Sequence, residues 1–453
     1  MLRSLPNDKI AASAERPVQA FDSGYADSSL RVARSGLLLQ GGRDWQDVGA
    51  STLANSDRHF LFVTAPFGAL SAELGRRLRS EGARATRILL CAGDLLDWGV
   101  QHAASYRGDL AGWTGWIEAH LGRQGVTDLV VFGDAHPYVI AAMAVARAAG
   151  INIHVLEEGY FRPHWITLER DGVNGSSSLP KDPNVYRREA ATYLNQEFVP
   201  VGKITPSAVT RISAYHTVQY LGLPIFPHYR TPNPYTPLQQ AIGHTHSYAR
   251  QRLNAKRCEA GLHGVIAVSG PIFLALLQRP GDSQLLRNSN LRTVAAFIEK
   301  VVGSFASHAP PEMRLLFKAH PLDHGIEAHH LSIKRYAEQW GVADRVFYTD
   351  GGHFPSLVRA SVGVLSVNST GGLTAIEFQR PTMVLGSAIY NMPGLTHQSG
   401  MDQFWSSPES PDPSLFQAFR RVVMGRTQIN GAYSTSHGVR LAAPEVTRRL
   451  LGG

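Results

Sequence analysis

The sequence predicts an α/β fold built from two Rossmann-like halves around a cleft. Short apolar runs recur that are continuous rather than alternating, and helical periods separate them. This rhythm is typical of a parallel sheet covered by helices. The length of 453 residues suits two domains of about 200 residues each better than a single core. A proline-rich stretch near the middle divides the two series of runs.

These observations set the predicted domain boundaries. The predicted parts are an irregular N-terminal segment at 1–55, a Rossmann-like domain at 56–225, a linker at 226–262, a second Rossmann-like domain at 263–425 and a C-terminal tail at 426–453. The linker is placed beside five prolines between positions 224 and 237, because proline lacks the N–H that helices and sheets require.

The first domain begins with a β-rich run at 59–64. A helical period follows through Leu70, Leu74 and Leu78. Its remaining predicted elements are strands at 86–91, 128–132 and 151–156 and a helix at 139–149. The run at 151–156 ends in two adjacent carboxylates, and open α/β sheets bind their ligands at such strand ends.

The second domain repeats the rhythm. Its predicted strands lie at 264–268, 314–318, 345–348, 363–367 and 382–385, and its predicted helices at 290–305, 330–340, 372–379 and 413–424. The sequence contains no internal repeat at a fixed period that would indicate a solenoid or a propeller. Two Rossmann-like halves around a cleft is the general plan of GT-B glycosyltransferases, which is an analogy of fold.

Composition limits the class of protein. The formal charge of +8 favours anionic partners such as nucleotides or phospholipid head groups, while no basic run is long enough to act as a nucleic-acid arm. The two cysteines, Cys91 and Cys258, cannot build a disulfide framework or a cysteine-rich zinc site. No signal peptide or membrane-spanning run is visible. The sequence therefore predicts a cytoplasmic protein without a nucleic-acid partner.

Three carboxylates form the first candidate cluster. Glu157 and Glu158 end one predicted strand, and Asp134 ends its neighbour. Side chains alternate along a strand, so one glutamate is expected to face the cleft and the other a structural partner such as Arg162. An ion pair that caps the strand is the alternative interpretation. Grouped carboxylates shift one another's pKa values and suit acid–base or nucleophilic chemistry.

The second candidate cluster follows the predicted strand at 314–318. Lys318 and His320 combine a cation and an imidazole, which suits a phosphate bound as a leaving group. An isolated histidine is more often structural. Gln278, Asp282 and Gln284 follow another predicted strand and could hold sugar hydroxyls or a base edge, although alone they would be an ordinary polar loop.

A turn of small and hydroxyl residues supplies the third cluster. Asn368, Ser369 and Thr370 follow a predicted strand and open a helix. Free N–H groups at a helix start bind phosphate, and a simple helix cap is the alternative. The turn is not a Walker loop, because no Gly-Lys-Ser/Thr follows.

These motifs resemble the capsular polysaccharide synthesis family of bacterial β-Kdo transferases, where Kdo is 3-deoxy-D-manno-oct-2-ulosonic acid. The resemblance spans roughly residues 58–425 and is carried by several ordered motifs. They are Phe132-Gly133-Asp134, the run from Glu157 to Pro163, Gln278-x-x-x-Asp282-x-Gln284, the run from Lys318 to Asp323, Asn368-Ser369-Thr370-Gly371-Gly372, and the segment 385–396. In many relatives an arginine precedes the proline at position 137, where this chain has His136.

The resemblance implies a retaining transferase that uses CMP-Kdo and has no metal or other cofactor. It implies that the first domain binds the acceptor and the second the CMP-sugar. The single-domain form in this family places the first Kdo on a phosphatidylglycerol-type lipid, at the inner face of the inner membrane. It further implies that Asp134, Glu157, Glu158 and His320 are catalytic. The implied substrate-binding residues are Arg162, Gln278, Asp282, Gln284, Lys318, Asn368, Ser369 and Thr370.

Two other functions stay open on the sequence. The first is a transferase that uses another CMP- or UDP-sugar and acts on a glycan. The second is a non-catalytic component of a capsule assembly or export complex that binds the lipid-linked glycan. The clustered carboxylates and His320 favour an enzyme, because a scaffold has no need of them.

Overall fold

A computed structural model gives the fold. It describes residues 54–452 apart from 66–67, 204, most of 232–269, 280–290, 292, 322 and 324–325. All of the described residues belong to one compact unit. Within it the chain forms two separate sheets, of seven and of five strands.

The seven-stranded sheet is mainly parallel. Its strands are β1 (His59–Phe62), β2 (Arg84–Leu89), β3 (Ala103–Ser105), β4 (Asp128–Phe132), β5 (Asn152–Glu158), β6 (Trp165–Arg170) and β12 (Gln428–Asn430). Their order is β12-β6-β5-β4-β1-β2-β3. Strands β1 to β5 run parallel, whereas β6 and β12 pair antiparallel at one edge. Strand β4 lies beside β1 on the side opposite β2, so the strand order reverses between β1 and β4.

Thirteen helices are described, six of them before the second sheet begins. These six are α1 (Leu70–Ser80), α2 (Gly93–Asp97), α3 (Leu110–Gln124), α4 (Pro137–Ala148), α5 (Pro183–Glu189) and α6 (Pro206–Leu221). Single 3₁₀ turns lie at Asn55–Asp57, Asn174–Ser176 and Ala190–Thr192. Helices α3 and α4 cover one face of the sheet, where Trp113, Ile117 and Val139 pack under Leu129 and Val155.

The five-stranded sheet is wholly parallel. Its strands are β7 (Ile272–Leu276), β8 (Arg314–Lys318), β9 (Val346–Thr349), β10 (Ser361–Ser366) and β11 (Thr382–Val384), in the order β11-β10-β7-β8-β9. The remaining helices are α7 (Val294–His308), α8 (His329–Gln339), α9 (Phe354–Ala360), α10 (Gly371–Glu377), α11 (Met401–Phe404), α12 (Pro413–Thr427) and α13 (Ser436–Leu450). Here the order reverses between β7 and β10.

The predicted fold class is confirmed: the chain is α/β, with two doubly wound sheets. Strands β6 and β12, which pair antiparallel at one side of the first sheet, were not predicted. The Trp165–Arg170 segment puts residues 165, 167 and 169 on one face and 166, 168 and 170 on the other, and it returns as a hairpin directly after β5. The segment predicted as a C-terminal tail contains β12 and α13, which pack on the first sheet.

Two predicted parts lie wholly or mostly outside the described residues. The strand predicted at 264–268 lies outside the described residues, and so does most of the linker predicted at 226–262. A strand does follow the Ser269-Gly270-Pro271 break, namely β7, which the sequence did not separate from the longer apolar run. The prediction treated 265–277 as one interrupted segment and placed its strand before the break.

A buried ion pair holds the amino ends of the central strands together. Arg58 donates from Nη2 to Asp128 Oδ1 at 2.7 Å and to the carbonyl of Leu450 at 2.8 Å. His154 Nε2 lies 2.8 Å from the same Asp128 oxygen. Burial alone would raise the pKa of Asp128, but its hydrogen bonds from His154 and Arg58 outweigh this and hold that pKa well below its usual range.

Candidate functional site

The carboxyl edge of the first sheet carries three carboxylates on neighbouring strands. Asp134 follows β4 and is 2% exposed, while Glu157 and Glu158 are the last two residues of β5. Gly133 adopts a left-handed φ of 63°, and a Cβ there would lie 3.2 Å from Glu157 Oε2. The chain between β4 and Asp134 therefore passes directly beside the Glu157 carboxylate.

The strand continues through both glutamates, so their side chains leave on opposite faces, as the alternation predicts. Glu157 Oε1 accepts from the backbone N–H of Glu158 at 2.9 Å. Burial raises the pKa of Glu157 to about 7, and the negative charges of Glu158 and Asp134 add to the shift, whereas that N–H and Arg162 oppose it. Glu157 therefore changes charge near neutral pH.

Arg162 lies in the turn between β5 and β6. Its Nε donates to the carbonyl of Gly159 at 3.3 Å, and no ion pair with Glu157 or Glu158 occurs among the described residues. The expectation of a direct ion-pair partner for one glutamate is therefore not met. Arg162 still lowers the pKa of both glutamates through its charge. A Cβ at Gly159 would overlap the carbonyl of Trp165, so this turn requires glycine.

A second buried carboxylate, which the sequence analysis missed, supports the site from β6. Glu169 accepts hydrogen bonds from the hydroxyls of Tyr160 and Ser177. Burial raises its pKa to about 7, and the charge of Asp134 contributes to the rise. The polar residues of the alternating Trp165–Arg170 segment were the signal that could have revealed it. This network fixes Tyr160 and the turn that carries Arg162.

The carboxyl edge of the second sheet brings the other predicted residues together. Gln278 follows β7, and its Nε2 donates to Asn368 Oδ1 at 2.6 Å across the point where the strand order reverses. Doubly wound sheets bind ligands at this point. Ser369 Oγ accepts from the N–H of Gly371 at 3.1 Å, so the hydroxyl caps the turn locally. Helix α10, which follows, has seven residues.

Glycine at 372 shapes the same turn. A Cβ at Gly372 would overlap the hydroxyl of Tyr390, which donates to the carbonyl of Ser369. Tyr390 is 2% exposed. The turn that presents Asn368, Ser369 and Thr370 is therefore held in place by a buried tyrosine that fits only against glycine.

Cations surround His320, which follows β8. Burial, together with the charges of Arg279, Arg162 and Lys318, lowers the pKa of His320 to about 4. The imidazole is therefore neutral at physiological pH. Lys318 is 7% exposed, and its Nζ donates to the carbonyls of Ala319 at 3.0 Å and Asp350 at 3.4 Å.

Arg279 was missed by the sequence analysis. It follows Gln278 at the end of β7, and a charged residue directly after a buried strand was the available signal. Its charge acts on His320 together with that of Arg162, which belongs to the first sheet. The carboxyl edges of the two sheets therefore face one another closely enough for their charges to interact.

Some predicted residues are placed elsewhere or lie outside the description. Asp282 and Gln284, like Cys258, fall outside the described residues. His136 caps α4, accepting from the N–H of Tyr138 at 3.3 Å, and burial lowers its pKa to about 4. It is therefore a neutral helix cap.

The described residues contain neither a cluster of metal-ligating side chains nor a membrane-spanning helix. No group of three or more His, Cys, Asp or Glu side chains is arranged there to hold a metal ion. None of the described helices is long and apolar enough to cross a bilayer.

The arrangement suits chemistry on an activated anionic substrate. Two arginines and a lysine can hold a phosphate, because each donates charge-assisted hydrogen bonds. Three carboxylates at the edge of the first sheet can stabilise positive charge or accept a proton. Arg162 lies on the first sheet with the carboxylates, and Arg279 and Lys318 lie on the second, so a substrate that bridges the edges would meet both kinds of charge.

Comparison with known proteins identifies the family to which the chain belongs. The family model described as "Capsule polysaccharide biosynthesis protein" matches residues 127–433. The chain is 32% identical over 390 residues to the "Capsule polysaccharide export protein KpsS" of Escherichia coli, covering 85% of this chain and 99% of the relative. It is 31% identical over 395 residues to the "Capsule polysaccharide modification protein LipB" of Neisseria meningitidis serogroup A, covering 84% and 93%.

A solved structure described as "Thermosulfurimonas dismutans KpsC, beta Kdo 2,7 transferase" is also similar. It aligns at 12% identity with a TM-score of 0.41, covering 87% of this chain and 99% of that one. A likeness of this size adds nothing to the fold that the two sheets already show.

Proposed function

The chain belongs to the capsule polysaccharide biosynthesis family, and we propose that it is a glycosyltransferase that moves β-Kdo from CMP-Kdo to a phosphatidylglycerol-type lipid. The product would start the poly-Kdo linker of a capsular polysaccharide. The printed names of the relatives support a role in capsule polysaccharide export or modification. The donor, the acceptor and the retained configuration are our proposals.

One observation carries this proposal: a neutral histidine lies among three cations and opposite a wall of carboxylates. Arg162, Arg279 and Lys318 all act on His320. A cluster of positive charge around His320 favours an anionic ligand, and the phosphate of CMP has the required charge. Carboxylates on the facing edge suit the cationic sugar that forms when the phosphate departs.

The reaction would proceed by exchange of one C–O bond for another. The bond between the anomeric carbon of Kdo and the phosphate oxygen breaks, and its electron pair leaves with CMP. An acceptor hydroxyl oxygen forms the new bond to that carbon and loses its proton. Arg162, Arg279 and Lys318 stabilise the charge on the departing phosphate. His320, neutral before binding, gains affinity for a proton as the phosphate charge grows beside it.

Glu157 is our proposed acceptor of the hydroxyl proton. Its pKa of about 7 lets it both take and release a proton near neutral pH. Retention of configuration suggests either two displacements, with a carboxylate nucleophile on the opposite face of the sugar, or a front-face route that a nearby carboxylate would stabilise. Asp134 and Glu158 are the carboxylates that can take this role. The expected reaction needs no metal or other cofactor.

Location and partners follow from the proposed acceptor. An enzyme that acts on an anionic lipid must meet the inner face of the inner membrane, and basic residues near an anionic leaflet contribute about 1 kcal/mol each. The formal charge of +8 supports this. A capsule assembly or export complex is the proposed protein partner, which the name of the Escherichia coli relative supports.

Mass spectrometry tests the proposal. Purified protein is incubated with CMP-Kdo and a short-chain phosphatidylglycerol, and we expect a lipid carrying one Kdo residue together with free CMP. CMP-sialic acid and a UDP-sugar in parallel reactions test donor choice. If the folded protein uses none of the three donors but still binds capsule assembly components, the export role replaces the proposed activity.

A further inference from the structure

Exposed apolar side chains are concentrated at the carboxyl end of α6. Among the described residues, sixteen large hydrophobic side chains are exposed, and four of them occupy six consecutive positions. These are Tyr220 at 55%, Leu221 at 71%, Leu223 at 40% and Ile225 at 48% exposure. Clustered apolar surface of this kind marks an interaction site more often than scattered single residues do.

The segment that carries these side chains is anchored. Phe226 is 3% exposed and packs against Leu89 and Ala92, at the end of β2. The N–H groups of Ile225 and Phe226 both donate to the carbonyl of Gly222, at 2.9 and 3.0 Å. The exposed side chains are therefore held outward on a fixed turn.

Charge identifies the partner. No aspartate or glutamate occurs between Glu197 and Glu259, whereas the same stretch contains seven lysines and arginines. Of these, Lys203 and Arg230 are exposed on either side of α6. Arg211 is paired with Asp97 at 3.2 Å. An exposed apolar cluster in a stretch of chain that contains cations and no acids complements an anionic lipid surface.

The same helix leads toward the candidate site. The first half of α6 lines a cavity of about 270 Å³ through Ala208, Arg211 and Tyr215. Tyr433 lines it too, and the Tyr433 hydroxyl donates to the backbone carbonyl of Glu157 at 2.9 Å. Helix α6 thus extends from the apolar cluster to a cavity that Tyr433 links to the backbone of Glu157.

We propose that the end of α6 and the turn after it, residues 220–225, dock the protein on an anionic membrane surface, with Lys203 and Arg230 contacting lipid phosphates. The four apolar side chains insert at the level of the head groups. This inference deepens the proposed function, on which its biological meaning rests, because it names the surface that brings a lipid acceptor to the site.

Vesicle sedimentation without any sugar donor tests the docking surface. The full chain is mixed with vesicles of phosphatidylcholine alone, with added phosphatidylglycerol, or with added phosphatidylserine. We expect binding to both anionic mixtures and at least tenfold weaker binding to phosphatidylcholine. No binding to either anionic mixture overturns the proposal. Binding to phosphatidylglycerol alone also overturns it, because that pattern indicates recognition of one head group.

Paired variants locate the surface. Leu221→Ser with Ile225→Ser is expected to weaken binding about tenfold or more, since each buried aliphatic side chain contributes substantially. The matched control is Leu331→Ser with Ile326→Ser, which are 58% and 37% exposed elsewhere and should bind as the wild type does. Equal binding by the two double variants contradicts the assignment.

Charge variants test whether Lys203 and Arg230 contribute to vesicle binding. Lys203→Gln with Arg230→Gln should weaken binding about tenfold, while Lys300→Gln with Lys334→Gln, the same change in net charge, should have little effect. Transfer to a short-chain acceptor in solution should not change in any of these variants. That assay reports on the proposed function alone, so its failure and the failure of docking are distinguishable.

Discussion

At the scale of single residues, Glu157 controls the expected pH dependence. Its pKa of about 7 lies above the ordinary value for a glutamate, so the carboxyl is protonated as pH falls below neutrality. If Glu157 takes the proton from the hydroxyl of the acceptor substrate, kcat/KM should fall about tenfold per pH unit below about pH 7. A rate profile between pH 5 and pH 9 measures this. A flat profile through pH 6 would exclude Glu157 as the base.

The ionisation of Glu157 should also make stability depend on pH. Stability should fall as pH rises, whereas activity should increase. The unfolded state releases this proton near the ordinary pKa and the folded state only near 7, so ionisation favours unfolding as pH rises between those values. Glu157→Gln should therefore raise the melting temperature at pH 8 while abolishing transfer. Melting curves at pH 5 and pH 8 check the sign: the gain should be larger at pH 8. An unchanged or lower melting temperature at pH 8 would contradict the raised pKa.

Asp134 and His320 should both be indispensable to transfer. Asp134→Asn and His320→Ala are each expected to lower kcat by about a hundredfold or more, because each removes a group from one edge of the site. Steady-state kinetics and melting curves, recorded together, separate lost chemistry from lost folding. Substantial activity in both variants would refute the site assignment.

At the scale of elements, the turn between β10 and α10 depends on Gly372. A Cβ there would displace Tyr390 and break its hydrogen bond to the carbonyl of Ser369. Gly372→Ala should therefore weaken CMP binding about tenfold or more, as measured by calorimetry. Gly115→Ala in α3 is the control, because nothing lies within 4 Å of its new Cβ. Unchanged CMP affinity in Gly372→Ala would mean that this turn does not touch the donor.

Sequence patterns predicted most of the parallel strands, since short continuous apolar runs such as Asp128–Phe132 and Arg314–Lys318 are typical of buried strands, but they missed β3 and misplaced β7. They did not predict β6, which returns as a hairpin on β5, or β12, a three-residue edge strand whose pairing partner is distant in the chain. The strand ends singled out Glu157, Gln278 and His320, which the structure places at the carboxyl edges of the two sheets. They could not predict the raised pKa of Glu169 or the effect of the Arg162 charge on the pKa of His320. Both depend on contacts between separate strands and sheets.

At the scale of the whole molecule, one buried polar cluster at the amino ends of the central strands joins segments that are far apart in the sequence. Asp128 binds Arg58 before β1 and His154 in β5, and Arg58 also binds Leu450 at the end of the last helix. Asp128→Asn leaves a buried arginine without its charge partner, which costs about 3–5 kcal/mol. We expect a melting temperature lower by about 5–10 °C.

This destabilisation should leave catalysis intact. The ion pair lies at the amino ends of the strands and the candidate site at their carboxyl ends. The folded Asp128→Asn protein should therefore keep its kcat when assayed well below its melting temperature. An unchanged melting temperature, or a hundredfold loss of kcat in the folded variant, would show that the two ends of the sheet are not independent.

The central claim is that the facing edges of the two sheets form one site for a CMP-activated sugar. Lipid-dependent release of CMP from CMP-Kdo measures it most directly, with Arg162→Gln from the first sheet and Arg279→Gln from the second compared with the wild type. We predict release by the wild type and at least a hundredfold lower rate in each variant. No release by the folded wild type, or full rates in both variants, would contradict the claim.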